Sequence, residues 1–298
     1  IAKAQPSDRI RPIAASARDV FPCEGLTINQ TLQIFGKRGF STFRCDSVHV
    51  FALRFVGVAV HLEELSFERA SASGAVQLMG SLPAMIRGCS FVGNTAISGG
   101  GAVSFASSPP PIAAVVPIQL EDCVFAGNAA QFGGALAVTI VAPSRLQLQI
   151  TRCTFEANRA DMGGAIFVEL ASAASAGAAV SQHSITVRNA TFLRNSGSDA
   201  GAALAIDVRG SNPPVLAARN RVEISHSVFD SNRVPWVSQS EAGGAVWLLY
   251  RTNVIPQHNA HVLRDNVFFN SSAFLGGALA VQMQLAGLQA IFQPALNN

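Results

Sequence analysis

Apolar and polar residues alternate along most of this chain. The runs IQLEDCVF (118–125), LQLQITRCTF (146–155), HSITVRNATF (183–192) and RVEISHSVF (221–229) are each apolar at nearly every second position. Period-two alternation predicts strands with one buried face. Shorter runs of the same kind follow at AVSF (102–105), ALAV (135–138), AIFV (165–168), AVWLL (245–249) and ALAV (278–281). Helical spacing is missing throughout. Each unit therefore holds at least two strands, with room for a third in the variable segments.

One phrase joins the runs. Residues 123–138, CVFAGNAAQFGGALAV, and 153–168, CTFEANRADMGGAIFV, share Cys-x-Phe, an Asn three residues later, and Gly-Gly-Ala-aliphatic after that. The Phe recurs as Phe91, Phe125, Phe155, Phe192, Phe229 and Phe268, with a degenerate copy at Phe67, at intervals of 24, 34, 30, 37, 37 and 39 residues. The Asn recurs as Asn94, Asn128, Asn158, Asn195 and Asn232. Ala70 and Ser271 replace it in the outer copies. The glycine corner reads Gly100-Gly101, Gly133-Gly134, Gly163-Gly164, Ala200-Gly201, Gly243-Gly244 and Gly276-Gly277.

A repeat this short cannot bury its own apolar face, so neighbours must stack. Equivalent strands then pair in parallel about 4.8 Å apart, and seven copies with the preceding strands give a rod roughly 35–45 Å long. The expected fold is an all-β, right-handed parallel β-helix of about seven to nine coils. Each part of the phrase then has a physical reason. The Phe residues stack inside the coil. The position two before Phe also points inward and is mostly small: Cys89, Cys123, Cys153, Ala190, Ser227, Asn266. Asn ends the strand, tolerates a left-handed backbone, and can bond amide to amide along the axis. Glycine supplies positive φ or close backbone approach at the next corner.

Composition narrows the class. The 298 residues are 49% hydrophobic and only 13% charged, which excludes a disordered chain. Arg54 interrupts the longest apolar stretch, FALRFVGVAV, so no transmembrane segment is expected. The chain begins with Ile and shows no signal-peptide pattern, which reads as a mature segment or part of a longer protein. The net charge is +3, from scattered arginines with only Lys3 and Lys37 beside them. That argues against a nucleic-acid stripe and permits contact with an acidic glycan.

The phrases FVGN…GGGAV, FAGN…GGALA and FEAN…GGAIF resemble the FxxN and GGA[ILV] repeats of chlamydial polymorphic outer-membrane proteins, and of related extracellular proteins in other bacteria, algae and protists. The resemblance covers about residues 67–285, and GLTINQTLQIFGKRGFSTFRC (25–45) looks like the start of such a helix. It implies a right-handed parallel β-helix, an extracellular or cell-surface location, and adhesion. It implies no enzyme activity.

The β-helix also hosts carbohydrate-active enzymes, so an acid–base site is a fair alternative. Such a site needs clustered carboxylates, but Asp122, Glu156, Asp161, Asp199, Asp207, Glu223 and Asp230 are isolated in sequence. Asp161 and Asp199 are the best stacked pair, and solvated turns explain them more simply. His258 and His261 form an HxxH without further ligands, and no metal or other cofactor is expected. The glycine phrase lacks the helix and the Lys-Ser/Thr of a nucleotide loop.

Cys89, Cys123 and Cys153 share one inward column, where parallel Cβ vectors disfavour disulfides, so free thiols are expected. Cys23 and Cys45 flank the first strands, where a disulfide between them would clip the cap in an oxidising compartment. Sequons at Asn29, Asn189 and Asn270 offer N-glycosylation sites.

A protein or glycan partner has two candidate surfaces. The long loop RVPWVSQSEA (233–242) carries Trp236, and the strand after the glycines places Phe167 and Trp247 on its outward side. The alternative is that the segments 104–117, 169–182 and 208–220 fold back over them. The domain reading is residues 1–20 as an extension or linker, 21–66 as leading strands and cap, and 67–298 as the repeats. QLAGLQAIFQPALNN (284–298) has no polar cap, so further chain or another subunit is expected to stack end-on there. The leading expectation is a non-catalytic extracellular scaffold or adhesion module. The alternative is a carbohydrate-active or glycan-binding β-helix.

Overall fold

The computed structural model describes residues 9–10, 19–22, 25–37, 41–45, 51–80, 83–107, 114–172, 179–210, 215–235, 243–251, 253–273, 277–285 and 288–292. Nine coils stack along one axis, and each gives one strand to each of three parallel sheets. In the fifth coil these strands are Val115–Glu121, Val124–Ala126 and Leu136–Val141; in the sixth they are Arg145–Thr151, Thr154–Glu156 and Ile166–Ala171. The all-β parallel solenoid is the fold expected from the repeats. Strands within residues 21–66 run in the same three sheets, so they form coils themselves.

Each coil gives three strands to these sheets because the long alternating run is broken, and the links add two short two-stranded sheets, Arg159–Met162 with Ser196–Ala200 and Val215–Ala218 with Val254–Gln257. The residue three before each Phe takes the left-handed conformation: Glu64, Gly88, Asp122, Arg152, Asn189, His226 and Asp265, with φ between 52° and 60°. This corner splits IQLEDCVF into a strand of the first sheet and a strand of the second. The next corner is also left-handed, one residue earlier than expected. The residue two after Phe carries the positive φ, as at Gly127, Ala157, Arg194 and Ser231, and not the Asn that follows. A left-handed residue other than Gly costs about 1–2 kcal/mol. The ladder offsets this by pairing each corner amide with the next coil, as in Asp122 N–H to Thr151 C=O (3.1 Å) and Ala157 N–H to Leu193 C=O (2.9 Å).

The core is continuous from end to end. Its spine is a stack of eight rings: Phe43, Phe67, Phe91, Phe125, Phe155, Phe192, Phe229 and Phe268. Successive centroids lie 4.7–5.2 Å apart and planes tilt by no more than 10°. Phe21 extends the column with a ring tilted 36° to Phe43. Beside the rings runs the asparagine ladder, wholly buried at Asn94, Asn128, Asn158, Asn195 and Asn232. Asn158 Oδ1 accepts from the backbone N–H and Nδ2 of Asn128. Its own Nδ2 donates to Phe125 C=O and Asn195 Oδ1, all at 3.0 Å.

Two expectations about the ends of elements need correction. In the seventh coil the glycine corner is Gly201-Ala202, since Ile166 pairs with Leu204 and so aligns Gly164 with Ala202. At the far end, Leu288–Phe292 turns back and pairs antiparallel with Leu279–Leu285, covering the edge of the third sheet. Among the described residues, the last strands of the other two sheets, Ala260–Arg264 and Val267–Phe269, have no further neighbour.

A histidine is built into the wall of this core. His183 is 2% exposed; its Nδ1 accepts from Leu146 N–H (3.0 Å), and its Nε2 is buried without a partner. Burial, aided by the charge of Arg145, lowers its pKa to about 4. Protonation would turn Nδ1 into a donor facing another donor. The unfolded chain binds its proton near pH 6.5, so this contribution is intact above that pH. It is lost as the pH falls toward 4, to a total of about 3 kcal/mol. Asn220 and Asn259 hold the matching places in later coils, where their Oδ1 atoms accept the same kind of bond. Thermal melting between pH 7 and 4 should therefore show a smaller loss for His183→Asn than for the parent chain. Equal losses would clear His183 of the effect.

Candidate functional site

Phe167 and Trp247 are outward on the third sheet, but they do not reach solvent. Their exposures are 3% and 6%, and with Ala200, Ala205, Leu249 and Ala280 they form a second, small core. The Asn-to-Gly links supply part of the cover: Phe132 lies 5.0 Å from the Phe167 ring, and Met162 packs alongside. Trp247 Nε1 donates to Gln282 Oε1 at 3.2 Å. Neither residue is a free contact surface. Trp236 lies outside the described residues.

Asp161 and Asp199 do approach each other, joined by Ser198. Its hydroxyl lies 2.9 Å from Asp161 Oδ1 and 3.3 Å from Asp199 Oδ1, on the exposed side of a short parallel pair of strands, Arg159–Met162 and Ser196–Ala200. The HxxH pair is split. His258 is exposed at a left-handed corner, whereas His261 turns inward and its Nε2 bonds the Tyr250 hydroxyl at 2.9 Å. Burial lowers the His261 pKa and raises that of Tyr250, so both stay neutral near pH 7. Among the described residues no three His, Cys, Asp or Glu side chains are grouped to hold a metal.

Cys89, Cys123 and Cys153 are buried free thiols, and burial raises the Cys89 pKa. Cys45 is disulfide-bonded and 4% exposed. Cys23 lies outside the described residues. Asn29, Asn189 and Asn270 are all exposed, the last two at left-handed corners.

The carboxylates that look isolated in sequence are gathered by register. Arg152 bonds both Glu121 and Asp122, Arg194 bonds Glu156, and Arg44 Nη2 reaches Glu68 Oε2 at 2.8 Å. Asp207, fully buried, accepts from Arg251 (2.7 Å) and Arg209 (2.8 Å), and Arg209 also meets Glu169 at 2.9 Å. Glu223 is surrounded most heavily, by Arg188, Arg221 and Arg264. Hydrogen bonds from Arg221 first, then Arg188, hold its carboxyl below the usual carboxylate range. A polar depression at the corner between the first and second sheets lies between Glu63, Glu64, Arg87, Asp122 and Arg152. A more apolar groove is lined by His61, Met85, Pro117 and Gln119.

No family model, curated protein or solved structure matches this chain. No helix among the described residues is long and apolar enough to cross a membrane.

Proposed function

We propose that this chain is a non-catalytic β-helical module of an extracellular or cell-surface assembly, working by contact with a protein or glycan. The observation that carries the reading is how the carboxylates are used. Those of Glu68, Asp122, Glu156, Asp207 and Glu223 are tied to arginines of other coils. They brace the stack instead of facing each other as an acid and a base. The disulfide at Cys45 suits an oxidising compartment. The exposure of all three sequon asparagines leaves them open to glycosylation. The FxxN and GGA phrases add the likeness to bacterial surface repeats.

The enzyme alternative retains one specific observation, the shared Ser198 contact of Asp161 and Asp199. Polygalacturonate, alginate and sulfated glycans should be incubated with the protein, with and without calcium. Binding without turnover is the expected result. Turnover that disappears in Asp161→Asn or Asp199→Asn would overturn the contact reading.

A further inference from the structure

We infer that Arg188, Arg221 and Arg264 form an anion-binding site on the outer face of the first sheet, and that its ligand is a polysaccharide bearing sulfates or carboxylates. The inference deepens the contact reading by naming the partner's chemistry.

The site starts from one buried carboxylate. Glu223 lies outward between the inward Val222 and Ile224, yet its side chain is only 6% exposed. Its Oε1 accepts from Arg188 Nη2 at 2.8 Å and Arg264 Nη2 at 3.3 Å, and its Oε2 accepts from Arg221 Nη2 at 2.9 Å. One negative charge thus holds three positive ones. The ion pairs at Glu68 and Glu156 match one arginine to one carboxylate, and Asp207 is helped by Glu169 on Arg209. Only around Glu223 does positive charge accumulate to this extent among the described residues.

The surplus faces water. The three arginine side chains are 49%, 53% and 56% exposed. A guanidinium carries about five N–H donors in a planar fork that matches a carboxylate or sulfate. Each gives one to Glu223, so most of the donors point outward on side chains already held in place. Pre-ordering lowers the entropy cost of gripping a ligand. Asp265, next to Arg264 in sequence, faces His226 at 3.4 Å and not the arginines.

The site lies on an open sheet face that leaves room for an extended ligand. Arg188 pairs in register with Ser225, and Ser225 with Arg264. The Cα atoms of these two outer arginines therefore stand two strand spacings apart, about 10 Å, while both Nη2 atoms converge on Glu223 Oε1, at 2.8 and 3.3 Å. Arg221 lies two residues along the strand from Glu223, so the three define a triangle on a flat face. Between the outer pair lies the Ser225 hydroxyl, fully buried and without a hydrogen-bond partner. Ser184, Thr186, Gln149 and Thr151 continue the face with short or polar side chains. Neighbouring charges along a polysaccharide can meet the outward donors of all three arginines at once, and multivalent contact gives it affinity.

The test uses the intact protein and four immobilised probes: dextran sulfate, polygalacturonate, neutral dextran and polyglutamate. The expected result is binding to dextran sulfate or polygalacturonate that weakens as salt rises past about 0.15 M. The comparison of those two identifies sulfate or carboxylate as the group read. Arg188→Gln/Arg264→Gln should lose at least about tenfold in affinity, a difference of about 1.4 kcal/mol. Arg87→Gln and Arg194→Gln should not, and melting curves check that every variant folds. Equal binding by the double variant and the parent overturns the site, as does equal binding to neutral dextran. Tighter binding to polyglutamate than to either glycan overturns the polysaccharide. If native surface partners still bind a variant that has lost the glycan, only the site falls. If glycan binding persists but native surface material is never engaged, only the contact reading falls.

Discussion

Gly164→Ala is expected to cost about 4 kcal/mol or more, a size that single substitutions reach only through severe backbone or core disruption. A Cβ at this position would stand 2.2 Å from Ala202 O and 2.5 Å from Ser196 O, both backbone atoms of the next coil. No rotamer can relieve a clash between a methyl and a carbonyl. The seventh coil would have to move away, stretching Gly164 N–H to Gly201 C=O (3.0 Å) and Ala165 N–H to Ala203 C=O (3.2 Å). The chain supplies its own comparison, because Ala202 holds the matching place one coil on. Ala202→Gly should change stability by less than about 1 kcal/mol, the ordinary entropic cost of glycine. Urea unfolding midpoints check both. A loss under about 1 kcal/mol for Gly164→Ala would mean that the corner opens freely and that the glycine pair does not set the coil spacing.

Asn158→Ala comes next, with an expected loss of about 3–4 kcal/mol, since each buried polar group left unpaired costs about 1–3 kcal/mol. The substitution orphans Asn128 N–H, takes the side-chain donor from Phe125 C=O, and removes one partner each from the side chains of Asn128 and Asn195. Asn232 makes fewer such bonds. Its Oδ1 accepts twice from Asn195, but among the described residues its Nδ2 donates to Phe192 C=O alone. Asn232→Ala should therefore lose roughly 1 kcal/mol less. Equal losses at the two sites would show that the side-chain link between coils adds nothing.

The axial grammar was legible in the sequence because every coil writes it again. Phe, Asn and Gly keep their order across variable spacing, and only parallel stacking gives a reason for that. The corner before the Phe was not legible as a corner. Gly88, Asp122, Asn189 and Asp265 are types that tolerate positive φ, but Glu64 and Arg152 share the column and hide the signal. The second coil escaped notice because Phe43 lacks the Asn and the glycines that mark later copies. On the outer faces, alternation tells which side a residue takes but not what lies over it. Phe167 and Trp247 read as exposed for that reason, while Phe132 and Met162 are drawn across by links that carry no periodicity. The arginines around Glu223 were invisible for a simpler cause: Arg188 and Arg264 belong to different coils, and only strand register makes them neighbours.

The asparagine ladder also gives the stack a direction in time. Asn94, Asn128 and Asn158 each hold out a backbone N–H that only the Asn of the following coil accepts. A nascent chain emerging from its N-terminus would thus always carry one unfinished corner, completed when the next turn is made. Trimming obeys the same rule. A cut after any coil from the fourth to the seventh leaves a buried donor bare, whereas Asn232 is followed by Ser271 and has no amide side chain to lose. Shortened versions should tolerate an ending past the eighth coil better than one in the middle.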